Sequence, residues 1–198
     1  MVFRLNMLLF YMMLIQNISK MKSTFNLLKI TIFALLILGC TSNDDSDSEN
    51  DVNYGTIQLS GSDTASVGES LIVANISDDA NSTTGTSSSV ILMDKNTKIE
   101  DGELVSTDYS NGFVLVAAQF NSNDNAAADK TISMTIIKNG EEYRYVCSTP
   151  PTSTIDNTDC GTGYSVDKTT KQVTFNDTTV INVDSGTILT MNGIINYN

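Results

Sequence analysis

The stretch that decides the fold is residues 131–147, TISMTIIKNGEEYRYVC. Apolar and polar residues alternate along both of its arms, which is the pattern of half-buried β-strands. Between the arms lies Asn139-Gly140, a dipeptide that forms type I′ two-residue turns because both positions need a positive φ. The turn fixes the register of a hairpin. The predicted opposite pairs are Lys138 with Glu141, Ile136 with Tyr143, Met134 with Tyr145, Ile132 with Cys147 and, on the more polar face, Thr135 with Arg144.

The chain around this hairpin has the same β-rich composition. Thr, Val and Ile are abundant, and no segment shows the period of an amphipathic helix. The run 113–118 is continuously apolar and is predicted to be a central strand covered on both faces. Residues 81–89 are rich in Ser, Thr and Gly and are predicted to be a loop. Further strands are predicted over 55–59, 69–76, 89–93, 164–166, 173–175, 180–183 and 187–197.

Residues 53–198 are therefore predicted to form one all-β domain of about nine antiparallel strands. This length matches the common domain size and is enough to close a single core. The predicted architecture is an antiparallel β-sandwich, immunoglobulin-like or jelly-roll-like. A small β-barrel is the alternative.

A second informative feature surrounds Cys40. Residues 30–38 are apolar and uncharged, whereas residues 41–51 are acidic and Ser-rich. The stretch 37–40, ILGC, resembles the lipobox of bacterial lipoproteins, in which a cysteine after a small residue is acylated on its sulfur. Leu38 departs from that pattern, where a smaller residue is usual. The apolar run is too short for a transmembrane helix, which needs about 20 residues.

The resemblance divides the N-terminal quarter of the chain. Residues 21–39 match a secretory signal, with Lys22 and Lys29 as its charged region. Residues 40–52 are predicted to be a disordered acidic tether, similar to the export tag of surface lipoproteins in the Bacteroidota. Residues 1–20 are interpreted as an extension upstream of the native start, and the alternative is one long signal with two apolar segments. The resemblance implies a lipid anchor at Cys40 and a location on the outer membrane and cell surface.

The charge of the predicted mature chain disfavours polyanionic partners. All 23 acidic residues follow Cys40, together with seven of the 11 basic ones, so that the mature chain carries −16. A field of this sign repels phosphate backbones and anionic headgroups. Nucleic-acid binding is therefore not expected. The acidity is explained by solubility at the cell surface.

The cysteine count predicts one disulfide. Of three cysteines, the lipobox takes Cys40 and leaves Cys147 and Cys160. An even remainder in an exported chain favours a bridge between the two. A zinc site would need further nitrogen or thiolate ligands, and the chain has no histidine and no third free cysteine. No metal or other cofactor is expected.

The absence of histidine limits the catalytic mechanisms that this chain could use. Without histidine, Ser-His and Cys-His mechanisms are not available. Ser165-Val166-Asp167-Lys168 matches the Ser-x-x-Lys pattern of some acyl enzymes, but it lies on a strand running into a turn and is interpreted as chance. No catalytic residue is predicted. The acids outside the tether lie mostly in predicted turns, where solvent is expected to leave carboxylates with ordinary pKa values, and no catalytic pair is singled out: Asp101, Asp108, Glu141, Asp167 and Asp184.

Two short segments resemble the O-glycosylation acceptor of exported Bacteroidota proteins, Asp63-Thr64-Ala65 and Asp177-Thr178-Thr179. The second is better explained as turn residues beside a strand. Thr64 lies in a Gly/Ser-rich stretch and is the candidate for modification.

These observations predict a lipid-anchored surface protein without catalytic activity. We expect a binding or structural accessory module whose ligand, a glycan or a protein, the sequence does not identify. A structural coat protein with no ligand is a further interpretation. The alternative from another class is a small hydrolase that uses carboxylates alone and acts on glycans.

Overall fold

A computed structural model describes residues 52–121, 124, 126–152 and 158–198. Strands dominate this part of the chain, and none of its helices is long or apolar enough to cross a membrane. The strands are β1 (Gly55–Gly61), β2 (Ser70–Val73), β3 (Asn75–Ser77), β4 (Ser89–Met93), β5 (Thr97–Glu100), β6 (Glu103–Ser106), β7 (Asn111–Gln119), β8 (Lys130–Lys138), β9 (Glu141–Thr149), β10 (Ser165–Asp167), β11 (Gln172–Asn182) and β12 (Ile188–Asn196), and the helices are α1 (Thr64–Val67) and α2 (Asn81–Thr84).

The β8–β9 hairpin has the predicted register. Asn139 and Gly140 form its turn with φ of 54° and 81°, as a type I′ turn requires. All five predicted cross-strand pairs are present, including Met134 opposite Tyr145. The exposed fractions of Met134 and Tyr145 are 1% and 0%, so the apolar face of the hairpin lies in the core.

Ten strands form one antiparallel sheet, which confirms the all-β prediction. Its order is β2-β1-β12-β11-β9-β8-β7-β4-β3, and β10 pairs with β11 beside this path. The two ends of the order, β2 and β3, are consecutive in the chain and are separated only by Ala74. The sheet therefore curls into a nearly closed, barrel-like arrangement, which corresponds to the barrel alternative more closely than to two separate sheets.

Several predicted boundaries differ from the structure. The predicted strand 69–76 is two short strands, because the chain changes partner from β1 to β4 at Ala74. The predicted strands 173–175 and 180–183 are one strand, β11, with a bulge between Phe175 and Thr178. The predicted loop 81–89 contains α2. The β5–β6 hairpin was not predicted, although its Asp101-Gly102 turn has the same positive φ values as the Asn-Gly turn.

The core lies inside the curled sheet, and a smaller apolar cluster lies outside it. Inward-facing residues of β4 and β7, such as Leu92 and Leu115, belong to the main core. On the outer side of β4, Ile91 and Met93 pack with Ala80 and with Ile99 of β5. All five residues of β4 are buried as a result. The outer side of β7 is half-buried, so the predicted central strand is covered on both faces.

One junction of the sheet is narrow and covalently reinforced. β9 and β11 pair at only two positions, Val146 with Ile181 and Tyr145 with Asn182. Beyond them, the predicted disulfide joins Cys147 to Cys160, with Cα atoms 5.1 Å apart. Both cysteines are buried, at 2% and 0% exposure. The bridge thus joins the segment that precedes β10 to Cys147, near the C-terminal end of β9.

Candidate functional site

A cavity among the described residues lies where the curled sheet stays open. β2 has only β1 as a strand partner, and its other edge faces the beginning of β7 and the end of β8. The space between these elements has a volume of about 520 Å³. This size falls within the range of small-molecule sites, about 300–1,000 Å³. We call it the mouth cavity and define it by Ser70, Ile72, Asp94, Lys95, Phe113 and Lys138.

The walls of the mouth cavity are mostly apolar. Core residues form its inner part, among them Leu71, Phe113 and Ile136, with exposed fractions of 5%, 5% and 2%. Ile72 lies at its outer part and is 55% exposed. A bound molecule would therefore contact the hydrophobic core directly, and it would also cover an exposed isoleucine.

Two lysines of the mouth cavity have no partner among the described residues. Among the described residues, Lys95 and Lys138 are the only cationic side chains whose charged group makes no ion pair and no hydrogen bond. Both line the mouth cavity. The remaining cations are engaged: Lys98 with Glu100, Lys130 with the Tyr164 carbonyl, Arg144 with Asp184, Lys168 with the carbonyls of Asp78 and Ser87, and Lys171 with the Asp78 carboxylate.

The acid next to Lys95 in the sequence and the acid opposite Lys138 across the hairpin have other contacts. Asp94 lines the mouth cavity, but its carboxylate accepts hydrogen bonds from the backbone N–H of Asn96 and of Phe113, both at 2.6 Å. Glu141 is the cross-strand partner of Lys138, yet it lies beside the Tyr143 hydroxyl, where it raises the pKa of that tyrosine. The positive charge of the two lysines is therefore not cancelled by an ion pair within the described residues.

Gly112 is required by the position of the Asp94 carboxylate. A Cβ atom at Gly112 would lie 2.6 Å from Asp94 Oδ2, closer than real contacts allow. The same oxygen accepts the Phe113 N–H and, at 3.2 Å, the Thr97 hydroxyl. The glycine thus permits one carboxylate to join the end of β4 to the beginning of β7 at the wall of the mouth cavity.

A buried polar network attaches α1 to the barrel. Asp63, which precedes α1, accepts hydrogen bonds through Oδ2 from the hydroxyls of Tyr145 (2.8 Å) and Thr187 (2.5 Å). Desolvation raises the pKa of Tyr145 well above its usual value, so the tyrosine stays a neutral donor. The network holds α1 in place, and Val67 of this helix lines the mouth cavity.

A second depression lies on the outer surface of β7 and β8, beside the β5–β6 hairpin. Its volume is about 310 Å³, and Val114 and Val116 contribute apolar surface to it. Tyr109 and Leu104 at its border are 76% and 50% exposed. We call it the outer groove. It contains no lysine or arginine, which distinguishes it from the mouth cavity.

The predicted modification sites are placed differently by the structure. Cys40 lies outside the described residues. Thr64 is the first residue of α1 and is half-buried, and its hydroxyl donates to the Gly61 carbonyl at 2.9 Å. Thr178, in the second acceptor-like segment, is 0% exposed and sits at the β11 bulge, out of reach of a modifying enzyme.

The Ser-x-x-Lys segment does not form a nucleophile–base pair. Lys168 extends away to the backbone and donates from Nζ to the carbonyls of Asp78 and Ser87, both at 2.6 Å. The amine hydrogens of Lys168 are thus directed to backbone carbonyls and not to a serine hydroxyl. Ser165 lies within β10 and pairs with Thr174.

The turn acids have structural roles. Backbone N–H groups of the turns lower the pKa of Asp108, chiefly through Ser110, and that of Asp167, chiefly through Thr170. Asp184 pairs with Arg144 at 2.9 Å. In the described part of the chain, no three His, Cys, Asp or Glu side chains come together as a metal site. Asp108 and Asp167 thus stabilise their turns, and the expectation of ordinary pKa values for the turn acids is wrong at these two positions.

Sequence reasoning did not identify the mouth cavity, although one signal pointed to it. Lys138 follows Ile136 by two positions on the inward-facing row of β8, so a charge stands at the end of an apolar row.

Comparisons of the chain with protein-family models, with curated proteins and with solved structures gave no match.

Proposed function

We propose that the protein is a lipid-anchored protein of the outer membrane and cell surface, and that it acts as a non-catalytic binding module. The sequence around Cys40 supports the anchor, through its resemblance to a lipobox between an apolar and an acidic segment. The mouth cavity supports the binding role. The observation that carries the proposal is a cavity of about 520 Å³ that reaches the core and is lined by two lysines without a partner in the described part of the chain.

The arrangement of the carboxylates favours binding over hydrolysis. A glycosidase holds two acids at a set separation across a cleft, with the pKa of one of them raised. In the mouth cavity the one carboxylate, Asp94, accepts backbone hydrogen bonds and joins two strands. Asp108 and Asp167, at turns, have lowered pKa values. These three acids therefore hold local structure, which supports binding over hydrolysis.

The anchor is tested by the intact mass of the full chain isolated from the membrane fraction. We expect a mature N-terminus at Cys40 carrying two or three acyl chains. A soluble form that retains residues 21–39 would contradict the anchor. Cys40→Ala is the matched variant, and it should abolish acylation.

The binding role is tested by native mass spectrometry of the protein purified from its own membranes. Ser70→Trp places an indole at the mouth cavity from an exposed position, and Ser60→Trp places the same group on β1, away from it. We expect a small molecule that co-purifies with the native chain and with Ser60→Trp but not with Ser70→Trp. Turnover of that molecule, lost in Ser70→Trp, would contradict the non-catalytic proposal.

A further inference from the structure

We propose that the mouth cavity binds an amphipathic carboxylate, a molecule with a long apolar body and one anionic group, such as a medium- or long-chain fatty acid. This inference rests on the proposed binding function and specifies its ligand. It follows from two features of the cavity, the apolar wall and the two lysines without a partner among the described residues, and from the strongly negative charge of the rest of the chain.

The apolar wall sets the body of the ligand. Leu71, Phe113 and Ile136 are core residues that also line the cavity, and Ile72 and Ile137 extend the apolar surface outward. Aliphatic side chains outnumber the one aromatic side chain, Phe113, among the lining residues, so the wall suits an alkyl chain better than a stacked sugar. An alkyl chain matches such a wall, because each buried methylene strengthens binding by about fourfold.

The two lysines set the charge of the ligand. Their ammonium groups make no ion pair or hydrogen bond within the described residues, and they line the same cavity as the apolar wall. A carboxylate is the complementary group, since hydrogen bonds between ammonium and carboxylate are charge-assisted and short. The carboxylate would lie at Lys95 and Lys138 and the alkyl chain among the inner residues.

The charge of the whole chain selects a monoanion. A predicted mature charge of −16 repels polyanions at long range, whereas a single negative charge meets a weaker barrier. Within a screening length of about 8 Å, the nearby lysines dominate the interaction. Burial of the apolar body of the ligand then supplies most of the affinity. Inorganic phosphate and a sulfated glycan have no such apolar body.

The outer groove provides an internal comparison. It is also apolar and contains Leu104 and Tyr109, but no cation lines it. An apolar molecule without charge would not distinguish the two sites, whereas a fatty acid should prefer the one with lysines. The two sites share Gly112, Phe113 and Ile137, so labelling of a residue that lines only one of them, such as Ile72 or Leu104, separates charge-directed binding from general hydrophobic adsorption.

The test is photolabelling of the full chain in its own membranes with a fatty acid that carries a diazirine in mid-chain. The matched probe is the fatty alcohol of the same length. Lys95→Gln/Lys138→Gln removes the two cavity charges. Lys98→Gln/Arg144→Gln is the control, since it changes the net charge equally at two exposed ion pairs away from the cavity. Unlabelled octanoate, decanoate and dodecanoate serve as competitors.

We expect saturable labelling of mouth-cavity peptides by the acid probe. The apparent affinity should fall about tenfold or more in Lys95→Gln/Lys138→Gln and stay within about twofold in the control. Each added methylene in the competitor should strengthen competition by about fourfold until the cavity is filled. The alcohol probe should bind at least about tenfold more weakly than the acid.

Three results would overturn the ligand assignment: equal labelling by acid and alcohol, equal affinity of the two double variants, or labelling confined to the outer groove. Each leaves the proposed binding role to its own test with Ser70→Trp. Conversely, a chain with unmodified Cys40 that is labelled as expected would refute the anchor and support the ligand. Failure of the ligand assignment therefore leaves the proposed function standing, and failure of the anchor leaves the ligand assignment standing.

Discussion

Two junctions of the curled sheet contrast in how they are closed. At the first, β9 and β11 pair at two positions, and the Cys147–Cys160 disulfide adds a covalent bond beside them. We call this the disulfide junction. At the second, β2 faces the ends of β7 and β8 without pairing, and the mouth cavity fills the space. We call this the open junction.

The disulfide junction stabilises the fold, whereas the open junction leaves the core accessible to a ligand. The disulfide junction buries both of its cysteines and encloses Tyr145 in a hydrogen-bonded network. The open junction leaves a core residue, Phe113, in contact with a cavity and leaves Ile72 mostly exposed. Covering such apolar surface would stabilise the fold, so its exposure is a cost that a bound molecule would remove.

The largest effect is expected at Met134 of β8, which lies opposite Tyr145 of the disulfide junction on a strand whose end lines the open junction. Met134 is 1% exposed and lies opposite Tyr145. Met134→Asp buries an unpaired charge and should lower the free energy of unfolding by about 4 kcal/mol or more, enough to unfold the domain. Circular dichroism and denaturant titration would measure this. Ser133→Asp, one residue away and exposed, is the control and should fold; equal loss in both would contradict the burial of this face.

Removal of the disulfide should have the next largest effect. Cys147→Ser/Cys160→Ser opens a cross-link with a sequence separation of 13 residues, and the expected loss is about 3 kcal/mol. Thermal or denaturant unfolding would measure it. Fatty-acid labelling of the folded fraction should change little, because the mouth cavity lies at the other junction. An unchanged free energy of unfolding, or abolished labelling, would contradict the division between the junctions.

The same contrast explains what could be predicted from the sequence. The β8–β9 register depends on one dipeptide and on alternation within 17 residues, so local information was sufficient. The disulfide followed from counting. Asp101-Gly102 carried an equivalent signal, but the flanking residues of β5 and β6 alternate weakly because this hairpin packs outside the sheet.

The open junction depends on contacts that are distant in sequence. The predicted strand 69–76 has a continuous strand-like pattern, and nothing local shows that its partner changes at Ala74. Lys95 and Lys138 look like ordinary surface lysines until the fold brings both to one cavity. Such a site requires three-dimensional knowledge of which cations are already paired.

At the open junction, Gly112→Ala should destabilise the fold by about 2 kcal/mol. The new Cβ would displace the Asp94 carboxylate and leave the Phe113 N–H without its acceptor, which costs about 1–3 kcal/mol. A double-mutant cycle with Asp94→Ala tests the cause. In the Asp94→Ala background, Gly112→Ala should cost clearly less, because the blocking oxygen is absent. Equal costs in both backgrounds would contradict this explanation.

Low pH should weaken the ion pair between Asp78 and Lys171, which lies near β3. Asp78 pairs with Lys171, and this contact lowers the pKa of Asp78 from its ordinary 3.8, with burial acting in the opposite direction. A lowered folded-state pKa means that the stabilisation is present above about pH 3.8 and is lost as the pH falls through the folded value. Asp78→Asn should therefore lower stability at pH 7 and lose part of its effect near pH 3. A pH-independent difference would contradict the assignment.

The smallest effect is expected at Arg144, on the exposed side of the disulfide junction. Its guanidinium pairs with Asp184 at 2.9 Å, but the two side chains are 54% and 58% exposed, so solvent screens the attraction. Arg144→Ser should change the free energy of unfolding by no more than about 0.5 kcal/mol. Tyr145→Phe, the next residue on the opposite face, removes a hydroxyl donor to Asp63 and should cost about 1 kcal/mol or more. If Arg144→Ser proved the costlier of the two, the junction would be held by its surface ion pair rather than by the buried network and the disulfide.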